Sequence, residues 1–148
     1  MSGLNFIAIS VYLIVLLIQL NAFNRCNTKL MWDLWWGGNP VENYAPYKRL
    51  RGFDLSSNKE GVLLSKAKTV MQKIVEHHPQ CVLSATEINT LNVRARDEYF
   101  ALSFVNLYDK LNTDTGGVEM FDRYRVGEIA YSTLYDAIKI SFPNAQRM

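Results

Sequence analysis

Residues 4–23 read LNFIAISVYLIVLLIQLNAF, and no charged side chain occurs anywhere in residues 1–24. A helix rises about 1.5 Å per residue, so a run of about 20 residues covers roughly 30 Å, the thickness of a bilayer's hydrocarbon core. The rest of the chain is polar enough to fold in water. We therefore interpret residues 1–24 as a transmembrane anchor that tethers one small domain.

A cleaved signal peptide is the competing interpretation of the same run. Signal peptides carry a basic segment, an apolar stretch of about 7–15 residues and a small-residue cleavage site. Residues 1–5 contain no Lys or Arg, although residues 20–22, Leu-Asn-Ala, would serve as a cleavage site. The missing basic segment favours the anchor. The alternative would place the chain in the secretory pathway or in a viral envelope.

The charge distribution indicates an orientation and disfavours one class of partner. The net charge is +2, and the basic excess lies between Arg25 and Asp54, since basic and acidic residues balance from Lys59 onward. Nucleic-acid binding is disfavoured because it requires a strongly basic face on the folded domain. Lys and Arg near a membrane helix prefer the cytosolic or matrix side. Because Arg25 and Lys29 follow the run, we expect the domain on that side, with the mitochondrial inner membrane as one candidate.

Residues 25–57 form the second segment, which we predict to be an interfacial and extended connector. All three tryptophans of the chain lie in residues 30–36, LMWDLWW. Their rings suit a headgroup layer, because indole is apolar while its N–H seeks oxygen atoms. They also suit a partner's surface, where Trp is favoured at interface hot spots, or the ordinary core of the domain.

The sequence after the tryptophans predicts an irregular segment whose rings need cover. Gly37–Pro40 and Pro46 disfavour regular structure, because Gly adopts unusual backbone angles and Pro lacks the amide proton. Burying each large ring of this connector contributes roughly 1.5–3 kcal/mol. Lipid, the helical bundle and a partner protein are the three candidates for that cover, and we predict a partner protein. The candidate interface residues are Trp32, Trp35, Trp36, Tyr44, Tyr47, Lys48, Arg49, Arg51 and Phe53.

Residues 58–148 are predicted to form a helical domain. The first helix spans residues 58–78, where apolar side chains recur every three or four positions. The second helix starts at the capping box Ser84-Ala85-Thr86-Glu87 and continues to Leu111. The third helix spans residues 118–141. Short loops favour antiparallel neighbours, so the predicted fold class is mainly α, with a small antiparallel bundle of about three helices.

His77, His78 and Cys81 are the candidate chemical groups of the chain. Imidazole and thiolate are ligands for zinc, copper or haem iron. However, adjacent histidines at a helix end point in different directions, and a structural zinc site needs about four ligands. The other cysteine, Cys26, lies beside the apolar run, and a disulfide between the two would require an oxidising compartment. We therefore predict no metal, no cofactor and no catalytic residue.

Two functions follow from these features. The first is a non-catalytic, single-pass accessory or structural subunit of a membrane protein complex. It would contact the bilayer and other subunits through its anchor and aromatic connector. The alternative is a membrane-tethered or secreted helical domain with a metal-binding or enzymatic role centred on His77, His78 and Cys81. The sequence contains no phosphate-binding glycine loop, which favours the first function.

Overall fold

The computed structural model describes residues 27–42, 45–50, 58–114 and 128–143. These ranges contain five α-helices and no β-strand, which confirms a mainly helical fold. The helices are α1 (Thr28–Gly37), α2 (Asn58–Glu76), α3 (Ala85–Thr90), α4 (Val93–Asp114) and α5 (Tyr131–Ser141). The predicted anchor, residues 1–24, lies outside the described residues. None of the helices in the described ranges is long and apolar enough to cross a bilayer.

Helix α2 corresponds to the predicted first helix, and it ends at Glu76, two residues earlier than expected. Its apolar side chains recur at spacings of three and four, which places them on one face. Ala67, Val70, Met71 and Ile74 on this face are fully buried. The chain leaves the helix shortly before Pro79, as the sequence predicts.

The predicted capping box is confirmed, but the long second helix expected after it is two helices. Ser84 Oγ accepts a hydrogen bond from the Glu87 N–H at 3.2 Å, and the Ser84 N–H donates to Glu87 Oε1 at 3.1 Å. Helix α3 ends at Thr90, and Asn92 starts α4 by accepting a hydrogen bond at 2.8 Å from the Ala95 N–H. One continuous helix was therefore the wrong prediction, because the Asn92 side chain satisfies a free amide and gives the chain a new start.

The predicted third helix, residues 118–141, is wrong over residues 128–130, and its predicted start, residues 118–127, lies outside the described residues. Residues 128–130 are not helical, and α5 begins at Tyr131. The Ile129 carbonyl instead accepts two hydrogen bonds from Thr28, one from its backbone N–H and one from its hydroxyl, both at 2.8 Å. Asn27 and Ala130 form an antiparallel β-bridge at the same place. This pairing excludes residues 128–130 from a helix, because their backbone groups are directed to another part of the chain.

Helices α2, α4 and α5 pack pairwise against one another, and α1 contacts all three. Together they enclose one hydrophobic core. Its largest fully buried side chains include Trp32, Tyr47, Phe100, Phe104 and Tyr131. The predicted helical bundle is thus confirmed, with α1 as an additional member.

Candidate interaction surface

Helix α1 is part of the bundle, although the sequence places it in an extended connector. Asn27 caps its first turn by accepting a hydrogen bond from the Leu30 N–H at 2.8 Å, and Gly38 ends it with a φ of 63°. The stretch is helical because its apolar residues recur at helical spacing, so that one face can be buried against the bundle. Residues 28–37 therefore pack on the helical domain, whereas we predicted that residues 25–57 form an interfacial and extended connector outside it.

The three tryptophans lie at this contact between α1 and the bundle. Trp32 is 1% exposed, and its ring centre lies 5.3 Å from that of Phe100 and 6.4 Å from that of Tyr99. Trp36 packs edge-on against Trp32 at 5.6 Å, and Trp35 is also buried. This placement corresponds to the core alternative. Contact of the three rings with a bilayer or a partner stays a prediction, and Trp35 and Trp36 line an open groove where such contact could occur.

A cluster of three charged side chains joins α1 to α4. Lys29 Nζ lies 2.6 Å from Asp33 Oδ1 and 3.0 Å from Asp97 Oδ1. Burial lowers the pKa of the Lys29 ammonium, but the hydrogen bonds and charges of the two carboxylates outweigh that effect and raise the pKa above its ordinary value. All three side chains are about one-third exposed or more, so the cluster contributes little to stability. Its main effect is to fix where α1 lies on α4.

The short turn after α1 places one predicted interface residue in the core and two nearer the surface. Tyr47, in the 3-10 turn Tyr47–Arg49, is fully buried, whereas Arg49 is exposed. Lys48 is half-buried, and its Nζ lies 5.1 Å from the centre of the Trp36 ring, which is a cation–π contact. The remaining predicted interface residues lie outside the described residues; these are Tyr44, Arg51 and Phe53.

A groove of about 500 Å³ opens between α1, α2 and the segment that precedes α3. Its apolar wall is formed by Trp35, Trp36, Met71, Val75, Val82 and Leu83. Its polar rim is formed by Lys48, Lys68, Gln72 and Glu76. We call this feature the α1–α2 groove. It brings together three of the predicted interface residues, namely Trp35, Trp36 and Lys48.

Tyr99 of α4 holds one wall of the α1–α2 groove in place. Its hydroxyl accepts a hydrogen bond from the Leu83 N–H at 3.1 Å and donates one to the Val75 carbonyl at 2.9 Å. Burial raises the pKa of the Tyr99 hydroxyl, so the proton that it donates is retained at neutral pH. Val75 and Leu83, which both line the groove, are therefore tied to the same residue of α4.

The rim of the α1–α2 groove carries an excess of positive charge. The Glu76 carboxylate is paired at 3.1 Å with a lysine of its own helix. Within the described ranges neither Lys48 nor Lys68 has an ion pair. Burial lowers the pKa of the Lys48 ammonium, and the positive charges of Arg49 and Arg96 lower it further. A carboxylate placed in the groove would thus meet two uncompensated ammonium groups.

Sequence reasoning missed several residues of the groove. Lys68 and Gln72 lie off the apolar stripe of α2, so the periodicity alone assigns them to solvent. Val82 and Leu83 form an apolar pair in a loop, and that pair is the signal that could have been used. Arg96 lies in α4 but close to the end of α1, since a Cβ on Gly37 would be 3.3 Å from its guanidinium. No spacing in the sequence brings these segments together.

The two adjacent histidines are held by different parts of the bundle. His77 Nδ1 forms a hydrogen bond at 2.7 Å with the Lys73 carbonyl, and its ring packs edge-on against Phe142 at 5.4 Å. The His78 ring is stacked on Tyr99 at 4.3 Å. The rings therefore diverge, as expected for neighbouring residues at a helix end. Both rings therefore have a structural role, because they pack against aromatic side chains and His77 also bonds the backbone of α2.

Cys81 does not join the histidines in a ligand set. His78 Nδ1 accepts hydrogen bonds from the N–H groups of Gln80 and Cys81, at 3.1 and 3.0 Å. That nitrogen is thus engaged by the backbone turn, while the Cys81 side chain is exposed. In the part of the chain that the structure describes, no group of three His, Cys, Asp or Glu residues is placed to hold a metal ion. Cys26, the other candidate for a disulfide, lies outside the described residues.

Comparison with known proteins found no match from which a function could be inferred. No protein-family model matches the chain, and no curated protein or solved structure matches it either. A functional proposal for this protein therefore depends on its own residues: the apolar run, the placement of α1 and the α1–α2 groove.

Proposed function

We propose that this chain is a non-catalytic, single-pass accessory subunit of a membrane protein complex. Residues 1–24 anchor it in the bilayer, and the helical domain lies on the cytosolic or matrix side. The domain holds neighbouring subunits in place, with the α1–α2 groove as its contact surface. The partners are other subunits of the complex and the lipid itself.

The observation that carries this proposal is how closely the bundle follows the apolar run. Asn27 and Thr28 are bound to Ala130 and Ile129, so residue 27 is already part of the bundle. Phe23 precedes Asn27 by four residues, and four extended residues span at most about 14 Å. The anchor and the bundle are therefore separated by no long linker. A domain held this near to the bilayer is suited to contact other membrane subunits.

The position of the α1–α2 groove supports the same proposal. Trp35 lies eight residues after Asn27 on helix α1, which corresponds to about 12 Å along the helix axis. The groove is consequently within reach of segments that leave the bilayer beside this chain. Its apolar wall and cationic rim give it the composition of an interaction surface, since such patches mark binding sites more often than ordinary surface.

The alternative function receives less support from the geometry. A metal-binding or enzymatic role would require His77, His78 and Cys81 to converge on one point. Instead the His77 ring packs on Phe142 and the His78 ring on Tyr99, and His78 Nδ1 is engaged by two backbone N–H groups. These contacts favour the non-catalytic proposal.

Purification of the tagged full chain in mild detergent tests the proposal. We expect other membrane subunits to co-purify in fixed proportion. Val82→Asp should release them, because Val82 is 57% exposed in the groove. Val62→Asp is the matched control, since Val62 is 54% exposed and lies outside the groove. Both variants should keep the circular dichroism of the parent, as surface substitutions cost about 0.5 kcal/mol or less.

Two results would contradict the proposal. One is a chain that purifies alone, with no partner in fixed proportion before or after gentle cross-linking. The other is a mature N-terminus near Phe23 in mass spectrometry, which would identify the run as a cleaved signal peptide. Protease protection in sealed vesicles tests the orientation separately.

A further inference from the structure

We infer that the α1–α2 groove binds a short acidic and apolar peptide segment of a partner protein. This inference rests on the proposed function and names the chemistry of the contact. It is carried by three properties of the groove: two lysines that have no ion pair within the described ranges, an apolar wall on which Val82 is exposed, and its length.

The charges of the groove select an anionic partner. Lys48 and Lys68 lie on the rim, and neither has an ion pair within the described ranges. The neighbours of Lys48 are themselves cations, Arg49 and Arg96. The carboxylate of Glu76 on the same rim is already paired. A partner carboxylate would relieve this crowding of like charges, because an opposite charge within about 4–6 Å stabilises an ammonium.

The wall of the groove selects apolar side chains between the carboxylates. Met71 is fully buried in this wall, and Trp35 and Trp36 are only 7% and 5% exposed. Val82 stands at the opening with more than half of its surface exposed. Apolar side chains of a partner would cover it, and each fully buried one contributes roughly 1.5–3 kcal/mol before the cost of ordering.

The length of the groove suits a short extended segment. Lys68, Gln72 and Glu76 recur every four residues along α2, so they form one edge over about two turns, or roughly 12 Å. An extended peptide rises about 3.3 Å per residue, so three or four residues lie along that edge. Gln72 is exposed in the middle, where its amide can both donate to and accept from a peptide backbone. A lipid headgroup would use the cations but not the apolar wall, so we favour the peptide.

Fluorescence anisotropy with labelled peptides tests this inference on the full chain in mild detergent. The probe is an eight-residue peptide of alternating Leu and Glu. Alternating Leu and Lys, and alternating Ser and Glu, are the matched controls. We expect the Leu–Glu peptide to bind at least about tenfold more tightly than either control, which corresponds to about 1.4 kcal/mol.

Substitutions on the rim locate the binding. Lys48→Ala and Lys68→Ala should each weaken the Leu–Glu peptide about threefold to tenfold, since partly exposed charge pairs give modest energies. Lys139→Ala is the matched control, because Lys139 also lies over an aromatic ring, at 5.6 Å from that of Tyr135, but outside the groove. Lys68→Glu should shift preference toward the Leu–Lys peptide.

Equal binding of the three peptides, or binding that the rim substitutions leave unchanged, would overturn the inference. A second contradicting result concerns lipid. If the same lysine substitutions weaken binding to phosphatidylserine vesicles but not binding to the peptides, the groove would be assigned to anionic lipid. If the Leu–Glu peptide does not bind but partner subunits still co-purify, the inference of an acidic peptide is wrong and the proposed function still holds.

Discussion

Helices α1 and α3 are both short, and they are stabilised in opposite ways. Helix α1 buries most of its side chains, including all three tryptophans, against the bundle. Its first turn has no acidic residue and its last turn no basic residue. Helix α3 has six residues, of which Ile88 alone is buried, but both partners of a capping box are present at its start. Tertiary burial stabilises the first helix, whereas local hydrogen bonds stabilise much of the second.

This difference explains which of the two could be recognised in the sequence. A capping box is a pattern of four consecutive residues with its own physical cause. The burial of α1 depends on Phe100 and Tyr99, which lie about 70 positions away along the chain. We therefore expect substitutions in the core to destabilise α1 most, and substitutions in the capping box to act on α3.

Trp32→Ala should have the largest effect. The ring is fully buried and contacts three other aromatic rings, so its removal should lower the free energy of unfolding by about 3–5 kcal/mol. Urea unfolding in mild detergent, followed by circular dichroism, measures it. Leu30→Ala, at an exposed position of the same helix, is the control and should cost less than about 1 kcal/mol. A small loss at Trp32 would mean that α1 is not a core helix.

Ile88→Ala tests whether α3 also depends on the core. Ile88 is fully buried, and we expect a loss of about 2–4 kcal/mol, at the lower part of the range for such truncations, because a six-residue helix can readjust. The same urea titration reports it, and hydrogen exchange of the α3 amides localises it. If the loss stays below about 1 kcal/mol, α3 is stabilised by its capping box alone, and it differs from the buried helix α1 still more clearly.

Ser84→Ala removes the side-chain acceptor of the capping box at the start of α3. The loss should be about 0.5–2 kcal/mol, because the Glu87 N–H is left without its acceptor. Thr86→Ala is the matched control at an exposed position of the same helix, and alanine's high helix propensity should make it neutral or stabilising. A double-mutant cycle with Glu87→Ala, which removes the acceptor of the Ser84 N–H, should show coupling. Additive effects would contradict a cooperating capping box.

The pH dependence of α3 should follow Glu87. The Ser84 backbone N–H, and then its hydroxyl, hold the pKa of the Glu87 carboxyl below its ordinary value of 4.5. A lowered pKa in the folded state stabilises α3 above pH 4.5, and that contribution is lost as the pH falls through the folded-state value. An NMR titration of the Glu87 carboxyl measures the shift. Glu87→Gln should remove this part of the acid dependence, and an unchanged acid response would assign it to other groups.

Local patterns of the sequence predict much of the fold. The apolar stripe of α2, the start of α3 at Ser84 and the end of α5 near Pro143 all appear in the structure. These features depend on neighbours within about one helical turn. The break at Asn92 was missed because the apolar stripe continues across it. Asn is a preferred N-cap residue, and that preference was a usable signal.

The place of α1 and the composition of the groove could not be predicted in the same way. An apolar helical face indicates that something covers it. The same pattern is expected whether that cover is lipid, a partner protein or the core of the domain. Lys48 and Lys68 belong to separate segments, and the fold alone brings them to one rim. Residues such as Tyr44, Arg51 and Phe53 stay as predictions of the interface.

The hydrogen bonds between Thr28 and Ile129 have a consequence for synthesis. The two residues are 101 positions apart, so helix α1 leaves the ribosome well before the residue to which it is bonded. Translation at about 5–20 residues per second leaves an interval of roughly 5–20 s. During that time three tryptophans have no bundle to cover them. Chaperones or a nearby bilayer would therefore meet this helix before the rest of its own domain does.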